Sequence, residues 1–517
     1  MDNVGAAAPF AGREGRSGEG DDSRIAKFYA GKHVLLTGCP GYLGTLILEK
    51  LLRTCTDVGK IYIMIRPKRD VSAEERMKKM LQNEVFDRMR GANPNFGEKI
   101  VPIYGDLQKP DLGISSEDRL RLTSNVNIII HNAAMVYFFA KPSVLLRINV
   151  IGTLKLLELA AECRSFDLFV YTSTAYSHHH KSTIGEEFYA PPCGLETILD
   201  IIRVDEENAT GLSKEALKDI IGSWINLYSF SKAVTEGVVH DFSRKHSLPC
   251  IVYRPSILSE TYKEPIDAWV GNKHGPIVIT YACALGILRV VRMIKKNSMD
   301  FVPADFTTNN LLAIIWDHVT YRKSKEPEVY NYASSDWNSF TIKMAVEQFP
   351  MAVRKYPLSK MVWYPCFMTV ENSIGFFILH TLWHVFPAII VDLILLLRLR
   401  KPMAIKMLLK AYKNHDELIY FFSNWVIKTD KSKRILDRMN ATDLSQFQFN
   451  LNEVNWNKKV EMILRSIRRL TKEPVDKNPV ADRKFRTMQI LHYIVCSFII
   501  LFWLFFLHRM MHTFYNY

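Results

Sequence analysis

The stretch Thr37-Gly38-Cys39-Pro40-Gly41-Tyr42-Leu43-Gly44 decides the fold. Its spacing is TGxxGxxG. The apolar run before it, His33–Thr37 (HVLLT), reads as a buried strand, and Tyr42–Arg53 after it reads as a helix. In that setting each glycine has a physical task. Gly38 permits a tight turn, Gly41 lets the backbone approach a pyrophosphate, and Gly44 lets helix and strand pack closely. The first N–H groups of the helix have no intrahelical partner, so they suit phosphate oxygens. A strand–TGxxGxxG–helix unit predicts a dinucleotide site lined by Thr37, Gly38, Gly41, Tyr42, Leu43 and Gly44.

Further strands are expected at Ile61–Ile65, Ile100–Tyr104, Val126–His131, Leu168–Thr172 and Cys250–Tyr253. Strands alternating with helical patterns to about residue 350 predict an α/β fold. It is a Rossmann-type, doubly wound parallel sheet. The strand ends supply the rest of the predicted cofactor site. Ile65-Arg66-Pro67-Lys68-Arg69 ends the second strand, where an NAD enzyme usually places an acid for the ribose 2′-hydroxyl. Arg66, with Lys68 and Arg69 nearby, instead suits a 2′-phosphate, which predicts NADPH. Asp106 and Leu107 end the third strand, with Asp106 accepting from the adenine amino group. Asn132, Ala133 and Ala134 follow His131 at the fourth, where small residues let the backbone pass close to the cofactor. Asn149 starts a later helix, and Pro255, Ser256 and Ile257 follow the sixth strand.

Tyr228-Ser229-Phe230-Ser231-Lys232 is YxxxK. Helical spacing puts both residues on one face. The Lys232 ammonium is expected to lower the Tyr228 phenol pKa, and Tyr228 to give a proton to an oxygen as hydride reaches carbon. A hydroxyl at the end of the fifth strand should stabilise the developing negative charge. Tyr171-Thr172-Ser173-Thr174 offers three; Ser173 is the choice, with Thr172 and Thr174 as alternatives. His178-His179-His180 reads as a surface loop and not a metal site, because three consecutive histidines do not converge on one ion. No metal is expected.

The 517 residues carry a net charge of +14, which suits an anionic partner such as nucleotide phosphates or a membrane leaflet. No nucleic-acid recognition motif accompanies that charge. The eight cysteines form no CxxC pair and read as reduced thiols. Residues 1–24 are expected as a disordered tail. Residues 25–350 are expected as the NADP-binding reductase domain and 351–487 as a helical C-terminal domain. Met488–Leu507 carries no formal charge and is long enough to cross a bilayer, so a transmembrane helix is expected over 488–508. Ser373–Leu397 is also apolar but holds Asp392, and Arg398, Arg400, Lys401, Lys406 and Lys410 follow it. Translocating that basic stretch is disfavoured, so a non-spanning helix is expected there, either embedded in the membrane from one side or part of an acyl-binding wall.

Together these residues resemble extended short-chain dehydrogenases. More narrowly, the chain resembles the alcohol-forming fatty acyl-CoA reductases of the animal type. TGCPGYLG, IYIMIRPK, HNAA, YTSTAY, YSFSK, YRPSI and VPADF carry the resemblance. So do Pro387-Ala388 with Asp392, Lys401-Pro402, and the FFSNW run at Phe421–Trp425. Pro40 in the glycine loop, Trp269-Val270-Gly271-Asn272 and Ser231 depart from the family pattern. The resemblance implies reduction of a long-chain acyl-CoA by NADPH to an aldehyde and then a primary alcohol, with coenzyme A released. Membrane lipid is expected around the C-terminal helix, with an endoplasmic reticulum anchor and a cytosol-facing active site, and peroxisomes or lipid droplets as alternatives. Two other readings are a membrane-bound dehydrogenase acting on a sterol alcohol and a catalytically silent NADP-binding scaffold. The first leaves 398–487 without a role, and the intact Tyr228 and Lys232 disfavour the second.

Overall fold

Seven strands form one parallel sheet: β1 (Val34–Thr37), β2 (Ile61–Ile65), β3 (Ile100–Tyr104), β4 (Ile128–His131), β5 (Leu168–Thr172), β6 (Cys250–Pro255) and β7 (Glu328–Tyr332). Their order across the sheet is β3-β2-β1-β4-β5-β6-β7. The order reverses between β1 and β4, and in open α/β sheets that switch point, beyond the strand C-termini, is where ligands bind. This computed structural model describes residues 22–515 except 69, 137–139, 209, 272–274, 323–324 and 410–423. Arg69, Asn272, Lys410, Phe421, Phe422 and Ser423, and the expected tail up to residue 21, lie outside the described residues. Ser23 and Arg24, placed by the sequence reading in that tail, are ordered: the Ser23 hydroxyl caps the helix Arg24–Tyr29.

Side chains of β1, β2, β4, β5 and β6 are buried on both faces, so these strands read as continuous apolar runs. One face packs Leu36, Ile63 and Val170 against helix α1 (Tyr42–Thr54). The other packs Leu35, Tyr62 and Phe169 against Leu156 and against Val239 of helix α2 (Leu227–His246). Strand β7 is absent from the sequence expectation, since EVYNY mixes polar and aromatic residues without an apolar run. It forms the far edge beside β6, with Tyr330 opposite Tyr253.

That edge is covered by the C-terminal part of the chain. Ser432 donates to the Asn331 carbonyl at 2.9 Å, and the Tyr332 hydroxyl donates to the Phe449 carbonyl at 2.6 Å. Arg438 pairs at 2.5 Å with Asp317 of helix α3 (Ala304–Tyr321). Val426–Ile427 adds a short parallel pair to Thr183–Ile184. Ile435, Phe447, Phe449, Leu464 and Ile467 belong to the same apolar core as α1 and α3.

Three longer helices lie in the C-terminal part. Helix α4 (Ser373–Leu397) is widened to a π turn at Thr381–Val385. Helix α5 (Lys459–Leu470) packs on the helix Ile342–Lys355. Helix α6 (Pro479–Tyr515) runs out of the body. Both α4 and α6 are long and apolar enough to cross a membrane, and their apolar windows are each only 6% buried.

Tyr332→Phe leaves the buried Phe449 carbonyl without its donor. Unfolding free energy is expected to fall by about 1–3 kcal/mol, read from chemical denaturation.

Candidate active site

The glycine turn is as tight as its sequence requires. Gly38 has φ +84°, and a Cβ there would lie 2.8 Å from the Ala133 nitrogen and the Asn132 carbonyl carbon. A Cβ at Gly44 would lie 2.7 Å from the Gly38 carbonyl oxygen. Helix α1 starts at Tyr42 with no side chain capping its first N–H groups. Glycine turn and bare helix start together make a cradle that fits a pyrophosphate. Leu43 is buried, and Tyr42 turns its hydroxyl to the Ser259 carbonyl at 2.7 Å. The Cys39–Pro40 peptide is cis.

A hydrogen-bonded chain joins β1, β4 and the Asn149 helix. The Ala133 N–H donates to the Thr37 hydroxyl at 3.1 Å, and Thr37 donates to His131 Nδ1 at 2.8 Å. His131 Nε2 meets Thr153 at 2.9 Å, and Thr153 donates to the Asn149 carbonyl at 2.7 Å. This direction assigns the proton to Nε2, and burial holds the ring neutral with a pKa pushed down to about 3. The Asn149 side chain clamps both backbone groups of Met135 and donates to Ser231 at 3.0 Å. Asn149 thus ties the loop bearing Asn132, Ala133 and Ala134 to helix α2.

Tyr228 and Lys232 lie in the first turns of α2, capped by Asn226. Lys232 is 2% exposed, donates to the Thr172 carbonyl at 2.7 Å and stands 5.9 Å from the Tyr228 ring centre. Burial pushes its pKa down to about 7, opposed by the nearby Glu236 charge. The expectation of a lowered Tyr228 pKa is not met. Burial raises it above the ordinary phenol value, because taking the phenolate out of water penalises the charged form.

The three candidate hydroxyls have different fates. Ser173 donates to Glu236 Oε1 at 2.5 Å. The Thr172 hydroxyl is buried with no hydrogen-bond partner among the described residues. Thr174 lies just past the strand, is the most exposed of the three at 9%, and accepts from the Tyr176 N–H at 3.3 Å. The sequence choice of Ser173 therefore meets a competing partner that the motif does not reveal.

That partner is the centre of a buried cluster. Glu236 accepts from Ser173, from Ser177 at 2.9 Å, from His178 Nε2 at 3.0 Å and from Arg254 at 3.0 and 2.6 Å. The Arg254 and His178 contacts hold its carboxyl well below the usual range. The histidine run is consequently not a surface loop: His178 and His179 are buried, and only His180 is exposed. His179 Nε2 accepts from the Ile225 N–H at 3.0 Å, and burial pushes its pKa down to about 4. Among the described residues no group of histidine, cysteine and acid side chains forms a metal site. Sequence reading missed Glu236. Its signal is the spacing YxxxKxxxE, which continues the Tyr228–Lys232 face by one more turn.

Past the ends of β2 and β3, Arg66 Nη1 pairs with Asp106 at 3.3 Å, so the two adenosine-end candidates meet. Asp106 also accepts from the Gln108 N–H at 3.1 Å. Leu107 packs against Gly152. The Pro255 carbonyl accepts from Ala175 at 3.0 Å, and the Ser256 hydroxyl donates to the Asp300 carbonyl at 2.6 Å. Ile257 begins a short strand paired with Phe301–Pro303. Trp425 donates to the His179 carbonyl at 2.9 Å, bringing the C-terminal part against the β5 loop.

Sheet order, glycine cradle and the YxxxK face define a nicotinamide-dependent reductase of the extended short-chain dehydrogenase class. Two family models, both described as male sterility protein, match residues 36–311, as the NAD-binding part, and 383–472. A Drosophila melanogaster fatty acyl-CoA reductase, wat, is 32% identical over 476 residues, covering 92% of this chain and 90% of that one. Human fatty acyl-CoA reductase 2 is 31% identical over 474 residues, covering 91% of each. The chain belongs to the fatty acyl-CoA reductase family. The terminal R domain of the myxalamid pathway shares the fold at TM-score 0.54 and 18% identity, covering 86% of this chain and 93% of that one. A nonribosomal peptide synthetase reductase domain from Mycobacterium tuberculosis also has TM-score 0.54, at 17% identity, covering 83% and 95%.

Glu236→Gln leaves the Arg254 guanidinium buried without its counter-ion. A loss of about 3–5 kcal/mol in unfolding free energy is expected from denaturation. Losing the anion that favours charged Lys232 lowers the lysine pKa further, so any alkaline limb of the pH–rate profile that Lys232 sets should move to lower pH.

Proposed function

We propose that this protein reduces a long-chain fatty acyl-CoA to the primary alcohol with NADPH, through an aldehyde and with release of coenzyme A. The observation that carries the reading is the Tyr228–Lys232 face beneath the end of β5, beside the glycine cradle, in a chain aligned over nine-tenths of its length with fatty acyl-CoA reductases. The cradle of Gly38, Gly41 and Gly44 would hold the pyrophosphate, Arg66 the 2′-phosphate and Asn132–Ala134 the nicotinamide end. NADPH when bound supplies hydride.

The protein's own groups handle the oxygen and the proton. A raised phenol pKa keeps Tyr228 protonated at neutral pH, as a reductive proton donor must be. As the carbonyl carbon of the thioester gains hydride, its C=O π bond opens and Tyr228 protonates the oxygen. The adduct's hydroxyl proton passes to sulfur as the C–S bond breaks, the thiol leaves and an aldehyde remains. Tyr228 regains a proton from solvent, and that proton with hydride from a second NADPH gives the alcohol. Lys232 stabilises each transient phenolate. Ser173 is committed to Glu236 and the Thr172 hydroxyl is inaccessible, so Thr174 is the hydroxyl we place against the substrate oxygen.

Residues 25–350 form the reductase domain in this reading, 351–487 cover the acyl side, and 488–508 of α6 span a membrane, with the endoplasmic reticulum as the proposed site. Membranes from cells expressing the chain, given palmitoyl-CoA and NADPH, should make hexadecanol. Tyr228→Phe should lower the rate by about 10²–10⁴-fold, and Thr174→Val should lower it more than Thr172→Val. Aldehyde as the sole product would show a one-step reductase. No product across several chain lengths would sink the proposal.

Arg66→Ala should raise KM for NADPH roughly tenfold or more while leaving NADH kinetics nearly unchanged. Equal effects on both cofactors would remove the 2′-phosphate role.

A further inference from the structure

Helix α4 is as apolar as many membrane spans, yet the chain on either side of it belongs to one body. Residues up to 370 build the sheet and the Met368–Val370 pair with Val290–Arg292. Residues 426–470 return to β7, α3 and Thr183–Ile184. The chain between 371 and 426 therefore crosses any bilayer an even number of times. A return crossing would need about 20 mainly apolar residues, and the stretch after Leu397 holds Arg398, Arg400, Lys401, Lys406 and Lys410. Zero crossings is the remaining solution.

A clamp fixes the level at which α4 lies. His384 Nε2 accepts from the Arg289 N–H at 2.8 Å. His492 of α6 accepts from Trp363 at 3.1 Å, stacks on Tyr364 and lies 6.0 Å from the Trp383 ring. Trp and Tyr are the side chains that settle at the edge of a bilayer. Beyond this clamp α6 exposes apolar residues from Tyr493 to Leu507. Helix α4 exposes them on both sides of the clamp: Ile374 (76%) and Phe377 (70%) before it, Leu393 (54%) and Leu397 (85%) after it. A helix entering the bilayer end-on at the clamp would leave one of those arms in water. A helix lying along the surface immerses both.

The polar exceptions fit the same placement. Asp392 accepts from the Met403, Ala404 and Ile405 N–H groups at 2.8, 2.7 and 3.0 Å, so its charge is spent on folding the chain back. That fold-back exposes Met403 and Met407 as additional apolar surface. Arg398, Arg400 and Lys401 stand exposed at the turn.

We propose that α4 and residues 403–409 form an in-plane anchor in the boundary between headgroups and acyl chains of the leaflet facing the reductase body, with Arg398, Arg400 and Lys401 on anionic phospholipid. The proposal rests on the reading of α6 as a span of that bilayer, and the test separates the two. The full chain, depleted of native cysteines and retaining reductase activity, is reconstituted in phosphatidylcholine vesicles with and without phosphatidylserine. Fluorophores on single cysteines at 377, 393 and 501 are quenched by lipids spin-labelled at known depths. An impermeant maleimide probes a cysteine at 400. Expected are equal, shallow depths at 377 and 393, a deep 501, and labelling of 400 from the side of the body. Arg398→Gln/Arg400→Gln/Lys401→Gln should abolish the extra quenching that phosphatidylserine gives. A steep depth gradient from 377 to 393, with 400 reached only from the far side, would overturn the proposal in favour of a span. Quenching at 501 alone would overturn it in favour of a surface covered by protein or substrate. No quenching at 501 would remove the α6 anchor itself.

Discussion

A carboxylate with no solvent around it organises this active site. Glu236 is 1% exposed and accepts five hydrogen bonds, from Ser173, Ser177, His178 and two nitrogens of Arg254. Burying a carboxylate costs several kcal/mol, and the Arg254 attraction offsets that only when the remaining lone pairs are also satisfied. Here both oxygens are filled, so the arrangement tolerates little displacement. The donors come from two parts of the chain: Arg254 from β6, the serines and His178 from the loop after β5. Glu236 itself stands one turn beyond Lys232 on α2. Arg254 extends the link by donating to the Gly185 carbonyl at 3.1 Å. The relative position of the YxxxK face and the β5 hydroxyls thus follows from satisfying one buried charge.

The same burial sets the direction of the chemistry. Lys232 and Tyr228 share a dry environment that penalises both charged forms, lowering the lysine pKa and raising the phenol pKa. At rest this keeps the proton on tyrosine. In the proposed reaction, negative charge developing on a substrate oxygen would draw that proton, and the phenolate left beside Lys232 would gain an attraction that low polarity strengthens. His131, held neutral between Thr37 and Thr153, adds no competing charge close by.

How far the sequence shows this depends on whether a feature is local. The glycine turn, the apolar strands and YxxxK are local patterns, and β1, α1 and the sheet stand where those patterns put them. Ser173 is different: three adjacent hydroxyls look alike in sequence, and their distinction comes from Glu236, more than sixty residues away. A glutamate on a helix ordinarily reads as solvated, so its burial and the pairing with Arg254 are invisible until the sheet is assembled. The histidine run misleads for the same reason, since polar residues suggest surface unless their buried partners are known. Strand β7 is hidden because its edge is covered by residues a hundred positions later.

The C-terminal part is best understood as completing a core. Lys459 is 3% exposed and pairs with buried Glu260 at 2.6 Å, next to the Ser259 carbonyl that takes the Tyr42 hydroxyl. Lys50 of α1 reaches the Gln446 carbonyl, and Asp305 accepts the N–H groups of Tyr262, Lys263 and Glu264, of which Glu264 pairs with Lys50. The glycine turn is therefore braced from behind by residues far along the chain. Since 426–470 cannot leave the body without exposing Phe447, Phe449 and Ile467, the apolar helices on either side of them are held at fixed points of its surface. The Trp363–His492–Trp383 clamp joins those two helices at a single level, and a membrane meeting one must meet the other.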